Sequence, residues 1–194
     1  MSLDINKPIP ESLLNVQVLN KEGNKLKFSE VLNGECSMVV MVRHFGCIGC
    51  TTQMLAIAPR IDEFNNLGIH VKVIGNGDVQ YIEGFIEKFN LQNKPVEIYT
   101  DPSLNIYKQM DLKRSFWRFI NPMNLIEFIK ALSRGIGQKK VQGDNLQMGG
   151  TLLISSSKNL EYYFQNNTIA GIADPNDVMK QVHKYVLRRE SNLV

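Results

Sequence analysis

Residues Cys36 to Phe45 read CSMVVMVRHF, a nearly continuous run of apolar and β-forming residues. Such a run suits a strand buried on both faces, and a sheet covered on both faces needs helices above and below it. Directly after it come Cys47-Ile48-Gly49-Cys50 and a stretch, from about Cys50 to Asn66, with helical spacing. Met54, Leu55, Ile57, Ala58, Ile61, Phe64 and Leu67 make a broad apolar face there. Pro59, inside the stretch, removes a backbone donor and predicts a kink.

The alternation continues on both sides. Val16–Leu19 and Lys25–Phe28 flank KEGN as strand, turn, strand. His70–Gly75 is a second buried strand, Val79–Asn90 a helix and Pro95–Thr100 a third strand. Asp101 is expected to cap a short helix running to about Met110, with Pro102 in its first position. An insert follows, Asp111 to Gln147, with a helical pattern in its middle, Met123 to Arg134. Gly149–Ser155 and Leu160–Gln165 pair across SSKN, and Pro175–Arg189 closes as an amphipathic helix with Val178, Met179, Val182, Tyr185 and Val186 on one face. The expected class is α/β: a mixed central sheet flanked by helices, with an N-terminal hairpin and a helical insert. Residues 1–194 read as one domain with an insert at about 111–147, since no repeat or interdomain linker breaks them.

Bulk properties narrow the partners. The N-terminal MSLDINKPIPESLL has no basic segment followed by an apolar one, and no apolar run approaches the ~18 residues of a membrane span, so a cytoplasmic chain is expected. Three cysteines are too few, and odd in number, for a disulfide-stapled secreted domain. A net charge of +3 is too mild to point to nucleic acid. Seven basic residues and one acid fall between Lys113 and Lys140, so the basic insert sits on a slightly acidic body.

Cys47 and Cys50 lie at a strand-to-helix turn, and that context makes a C-x-x-C a redox signal. Unpaired N–H groups and the positive dipole end of a helix stabilise a thiolate, the attacking species in thiol exchange. A second cysteine one turn on can then close a disulfide. Arg43 and His44 are candidates to add positive charge beside the thiolate. Two alternatives stand beside this reading. A zinc half-site lacks a second pair, and His44, His70 and His183 are scattered, so no metal or other cofactor is expected. The pair is otherwise inert and buried, as Cys36 at the head of the strand is expected to be; a resolving role for Cys36 is the lesser reading.

Several segments together carry a resemblance: VMVRHFGCIGC (Val40–Cys50), VIGNG (Val73–Gly77), YTDPSLNIYKQM (Tyr99–Met110), KRSFWR (Lys113–Arg118) and GDNLQMGGTLLI (Gly143–Ile154). In these the chain resembles the peroxiredoxin-like (AhpC/TSA-type) branch of the thioredoxin-fold superfamily, the group related to selenoprotein L and the peroxiredoxin-like 2 proteins. The resemblance implies a thioredoxin-like fold and thiol-based oxidoreductase or peroxidase chemistry. The implied partners are a peroxide or disulfide substrate and an external reductant of thioredoxin or glutathione type. Laid on the peroxiredoxin loop, Cys50 takes the peroxidatic position, Cys47 the threonine position and Arg43 the proline position, while Gly149 replaces the late arginine. Laid on thioredoxin, Cys47 attacks, Cys50 resolves and Gly150 stands at the cis-proline position. The thioredoxin order is favoured for disulfide exchange. Gly149 and Gly150 are then expected to let substrate approach the backbone, with Gln147 donating toward sulfur; a plain turn into a strand is the alternative.

The segment Lys113–Gly135 interleaves basic and large apolar residues. It is expected to pack on the domain and shape the pocket beside the dithiol, with Trp117 contacting substrate. A weak membrane-surface contact is the other reading. The competing function is a non-catalytic thioredoxin-like binding module that works through this insert. Oligomeric state is left open.

Overall fold

The computed structural model describes residues 3–114, 142–166 and 171–191. The expected central strand forms as β3 (Ser37–Met41), with all five residues buried. It lies in a seven-stranded mixed sheet with β1 (Gln17–Leu19), β2 (Lys25–Lys27), β4 (His70–Gly75), β5 (Val96–Thr100), β6 (Gly150–Ile154) and β7 (Leu160–Gln165), in the order β2-β1-β5-β4-β3-β6-β7. β3, β4 and β5 run parallel; β6 pairs antiparallel with β3 and β7, and the β1–β2 hairpin joins β5 antiparallel. This is a thioredoxin-like α/β fold with its N-terminal hairpin. The middle of the insert lies outside the described residues.

Period-two alternation in the strands divides the core in two. Met38, Val40 and Val42 face one layer with Val71, Val73 and Leu153, under α3 (Ile48–Ile57), α4 (Ile61–Asn66), α5 (Ile82–Lys88) and α7 (Pro175–Ser191). Val39, Met41, Ile74 and Leu152 face the other, under α1 (Glu11–Leu14), α2 (Phe28–Leu32) and α6 (Asn105–Gln109). Among the described residues no helix is long and apolar enough to cross a membrane.

Three local expectations change in detail. Pro59 breaks the long helix into α3, a 3-10 turn at Ala58–Arg60, and α4, as a missing N–H should. Leu55, expected inside, is 54 % exposed, because the interrupted helix turns a narrower face to the sheet. The helix after Asp101 starts only at Asn105, behind Leu104 at φ 62°. Asp101 still caps it at a distance, its carboxylate accepting from Ser103 N at 3.0 Å and Ile106 N at 2.7 Å, so Pro102 belongs to the turn.

Candidate active site

β3 delivers the chain to the end of the sheet, and Val42 N still bonds Ile74 O at 2.9 Å before the backbone turns. Cys47 N donates to His44 O at 3.0 Å, closing that turn. Cys47 is the N-cap of α3, with extended backbone at φ −73°, ψ 135°. Its carbonyl accepts from Thr51 N and Thr51 Oγ1, both at 3.0 Å, so the helix is anchored on the first cysteine. Cys50 sits one turn inside, and both thiols are free and buried.

The two sulfurs are not equivalent. A hydrogen bond from the Cys50 thiol brings the Cys47 pKa down to about 6 against the cost of burial, helped by the Arg43 charge and by the N–H groups of Cys50 and Gly49 at the helix start. Burial pushes Cys50 well above the usual thiol range, and the neighbouring Cys47 adds to this. The Arg43 N–H that reaches Cys50 Sγ at 3.0 Å offsets only part of it. At neutral pH Cys47 carries the negative charge and Cys50 keeps its proton.

Arg43 is buried and its guanidinium is turned to the returning end of the insert: Nε donates to Gln147 O at 3.1 Å and Nη2 to Asn145 O. It lends the site charge while tying residues 145 and 147 to the end of β3. His44 does not add charge as expected. Burial and the neighbouring Arg43 hold its pKa near 4, with Asn145 and Asp144 opposing, so the ring is neutral above that.

The three expected substrate contacts after the insert are used internally. Gln147 Nε2 donates to Leu112 O at 2.8 Å and to Met148 O at 3.0 Å, so its amide hydrogens point at backbone and not at sulfur. A Cβ on Gly149 would lie 2.2 Å from Met41 O, and one on Gly150 2.7 Å from Phe164 O. Both positions call for glycine because the chain entering β6 is pressed against its own neighbours there. Trp117 and the membrane-surface reading fall outside the described residues.

Other supports escaped the sequence. Asn76 clamps the return loop, its Oδ1 accepting from Asp144 N at 2.9 Å and its Nδ2 donating to Asp144 O at 3.2 Å. Its only signal was its place between two glycines in VIGNG. Tyr107 OH meets Val42 O at 2.6 Å, just past β3, and Ile74 O at 3.0 Å, near the end of β4. Lys88 Nζ reaches Thr51 Oγ1 at 2.7 Å from 37 residues away, a contact no local pattern announces. Among the described residues, no group of three or more His, Cys, Asp or Glu side chains is arranged to hold a metal ion.

A thiolate at a helix start, with a protonated partner thiol one turn on and a thioredoxin-like sheet beneath, defines a thiol oxidoreductase. Residues 56–167 match the family described as AhpC/TSA antioxidant enzyme, and the chain belongs to that family. The matched stretch begins after the dithiol, so it tests the scaffold independently of the C-x-x-C. Among relatives, human Peroxiredoxin-like 2C is 28 % identical over 192 residues, covering 92 % of this chain and 82 % of its own. The chloroplastic Thioredoxin-like protein AAED1 of Arabidopsis thaliana is 24 % identical over 179 residues, covering 88 % and 71 %. Of solved structures, a Xylella fastidiosa PrxQ superposes with TM-score 0.66 at 14 % identity, over 97 % of this chain and 99 % of its own. The peroxiredoxin 6 of Arenicola marina superposes at 0.68 and 12 %, over 94 % and 73 %. At these identities the structures speak for the fold alone.

Proposed function

We propose that Cys47 is the attacking thiolate of a peroxiredoxin-like enzyme that reduces a peroxide or a disulfide, and that Cys50 closes the cycle. With a hydroperoxide, Cys47 sulfur takes the terminal oxygen to become a sulfenic acid and the alcohol leaves with a proton. Cys50 then forms the S–S bond and water departs. With a disulfide, Cys47 forms a mixed disulfide and Cys50 expels the second thiol. An external thiol of thioredoxin or glutathione type returns two electrons.

The observation that carries this reading is the asymmetry of the pair: the helix-start sulfur is favoured as thiolate and the inner one as thiol. It supports the thioredoxin order over the alignment that makes Cys50 peroxidatic. Arg43 supplies charge and position, and His44 serves as a neutral wall. We read residues 1–194 as one working domain in the cytoplasm. Contact of the basic segment around Trp117 with anionic membranes is a separate reading, which flotation with anionic liposomes at low salt tests.

The deciding experiment follows disulfide formation on adding hydrogen peroxide or an organic hydroperoxide, by stopped flow and mass spectrometry, in the wild type and in Cys47→Ser and Cys50→Ser. Oxidation that persists in Cys50→Ser and stops at one modified sulfur supports the assignment. Oxidation that persists only in Cys47→Ser reverses it. Slow reaction with peroxide and ready exchange with a disulfide restricts the substrate to disulfides. Two thiols inert at neutral pH leave the non-catalytic binding module.

A further inference from the structure

Closing the disulfide poses a problem the attacking step does not. Cys50 is fully buried as a protonated thiol, and it must lose that proton as its sulfur bonds to Cys47. Near it lies a buried polar pair. Gln53 comes three residues after Cys50 on α3, so the two share a face of the helix. Gln53 is 1 % exposed, and it lies on the helix that packs Cys50, Met54 and Ile57 into an apolar core layer. Its Nε2 donates to Thr151 Oγ1 at 3.1 Å, across to β6. Thr151 is itself fully buried and pairs in register with Val40, one residue before the end of the strand that leads to the dithiol.

The other end of the amide, Oε1, has no protein partner. Turning the amide over does not remove the problem, since the hydroxyl of Thr151 can serve either end but only one at a time. A buried amide with one end left over is costly, and a leucine there would satisfy the apolar layer better. His44 Nδ1 and Asn145 Oδ1 are also buried, but Asn145 acts on the His44 ring, so those two groups face one another between the end of β3 and the return loop.

We propose that Gln53 is a positioning residue for disulfide closure: pinned at one end on Thr151, its amide turns the other end toward the Cys50 thiol, reaching it through one water, and guides the departing proton. The amide is not itself protonated. When Cys50 attacks a Cys47 sulfenic acid, the S–S bond forms, the S–O bond breaks, and the Cys50 proton leaves with the oxygen as water. When it attacks a mixed disulfide, the proton leaves with the expelled thiol, or passes to solvent where the expelled group departs as a thiolate. This inference rests on the assignment of Cys47 as attacker and Cys50 as closer.

The test uses the full chain and an aromatic disulfide, dithiobis(nitrobenzoate), which releases one coloured thiolate when Cys47 attacks and a second when Cys50 closes. In Gln53→Leu the first phase is expected to be unchanged and the second to slow by roughly tenfold, the worth of one ordinary hydrogen bond. The midpoint of the second-phase pH profile should move downward, because an acceptor that favours the protonated Cys50 thiol has been removed. Gln53→Glu should restore closure with a new dependence on carboxylate ionisation. Thr151→Val, which removes the pin and keeps the amide, should slow the second phase by a smaller factor, and it serves if Gln53→Leu does not fold. An unchanged second phase in both Gln53→Leu and Thr151→Val overturns the proposal. So does an equal loss in both phases that tracks a lower melting temperature. A missing first phase in the wild type removes the assignment of Cys47 and this inference with it, whereas a normal first phase with indifferent variants removes this inference alone.

Discussion

Lys72 and Cys47 are both almost fully buried, on opposite faces of the same sheet, and differ in what surrounds them. Lys72 lies in β4 beside Glu97 of β5 in register, and its ammonium pairs with that carboxylate and lies 3.5 Å from Glu35 Oε2. Glu35 also faces His70 Nδ1 at 3.5 Å, and Tyr99 OH donates to Glu97. Burial raises the Glu97 pKa, but the bond and charge of Lys72 outweigh it and hold the carboxyl below its ordinary value. Cys47 has no full counter-ion in contact: a neighbouring thiol, two N–H groups and the Arg43 charge do the stabilising. The ammonium is held by full charges and has nowhere to react. The thiolate is held by dipoles and a shared proton, and so stays a nucleophile. Pairing, more than burial, separates a structural ion from a reactive one.

The largest expected effect falls on the reactive side. Cys47→Ser should lower turnover to background, on the order of a thousandfold or more, without unfolding the protein. A Cys47→Ser enzyme that still turns over would break the comparison at its root. Next comes the structural side. Glu97→Ala leaves the buried ammonium with only the longer contact to Glu35 and should cost about 3 kcal/mol in urea unfolding, with the reactivity of Cys47 intact. Lys72→Met, which removes the buried charge and keeps the apolar stem, should stay within about 1 kcal/mol because Glu97 and Glu35 can rehydrate. If Lys72→Met proves the costlier change, the ion pair is doing more than compensating itself.

Gly149→Ala should cost about 2 kcal/mol by forcing a Cβ against Met41 O, and calorimetry would show it. A neutral result would reopen that position to substrate. The smallest effects are those of pH. Cys47 alkylation should be half-maximal near pH 6, and Cys50→Ala, which removes the donated proton, should move that midpoint up toward the ordinary thiol value. His44, whose folded pKa near 4 lies below its ordinary 6.5, takes up its proton more readily in the unfolded chain. Stability therefore falls as pH drops from 6.5 toward 4, and His44→Gln should flatten that limb. Glu97, depressed when folded, adds a loss at still lower pH, as its carboxylate protonates.

Much of the molecule was written locally. The apolar run at Cys36–Phe45, the breaking power of Pro59 and the position of Cys47–Cys50 between strand and helix follow from residue types and their spacing. So the layers, the strand order along the chain and the reactive pair were legible without coordinates. What the sequence could not show is which long-range partner each polar side chain takes. Nothing local in HVKVIG names a partner for Lys72, and it is register that puts Glu97 beside it. Gln147, Gly149 and Gly150 looked like a substrate edge, yet the Gln147 amide is taken by the carbonyls of Leu112 and Met148, and the two glycines sit against Met41 O and Phe164 O. His44 looked like a cation until burial and Arg43 made it neutral. Spacing fixes which face of an element a residue lies on, because backbone geometry repeats over a few residues. Protonation state and hydrogen-bond partner depend on groups tens of residues away, and only the folded chain brings those within reach.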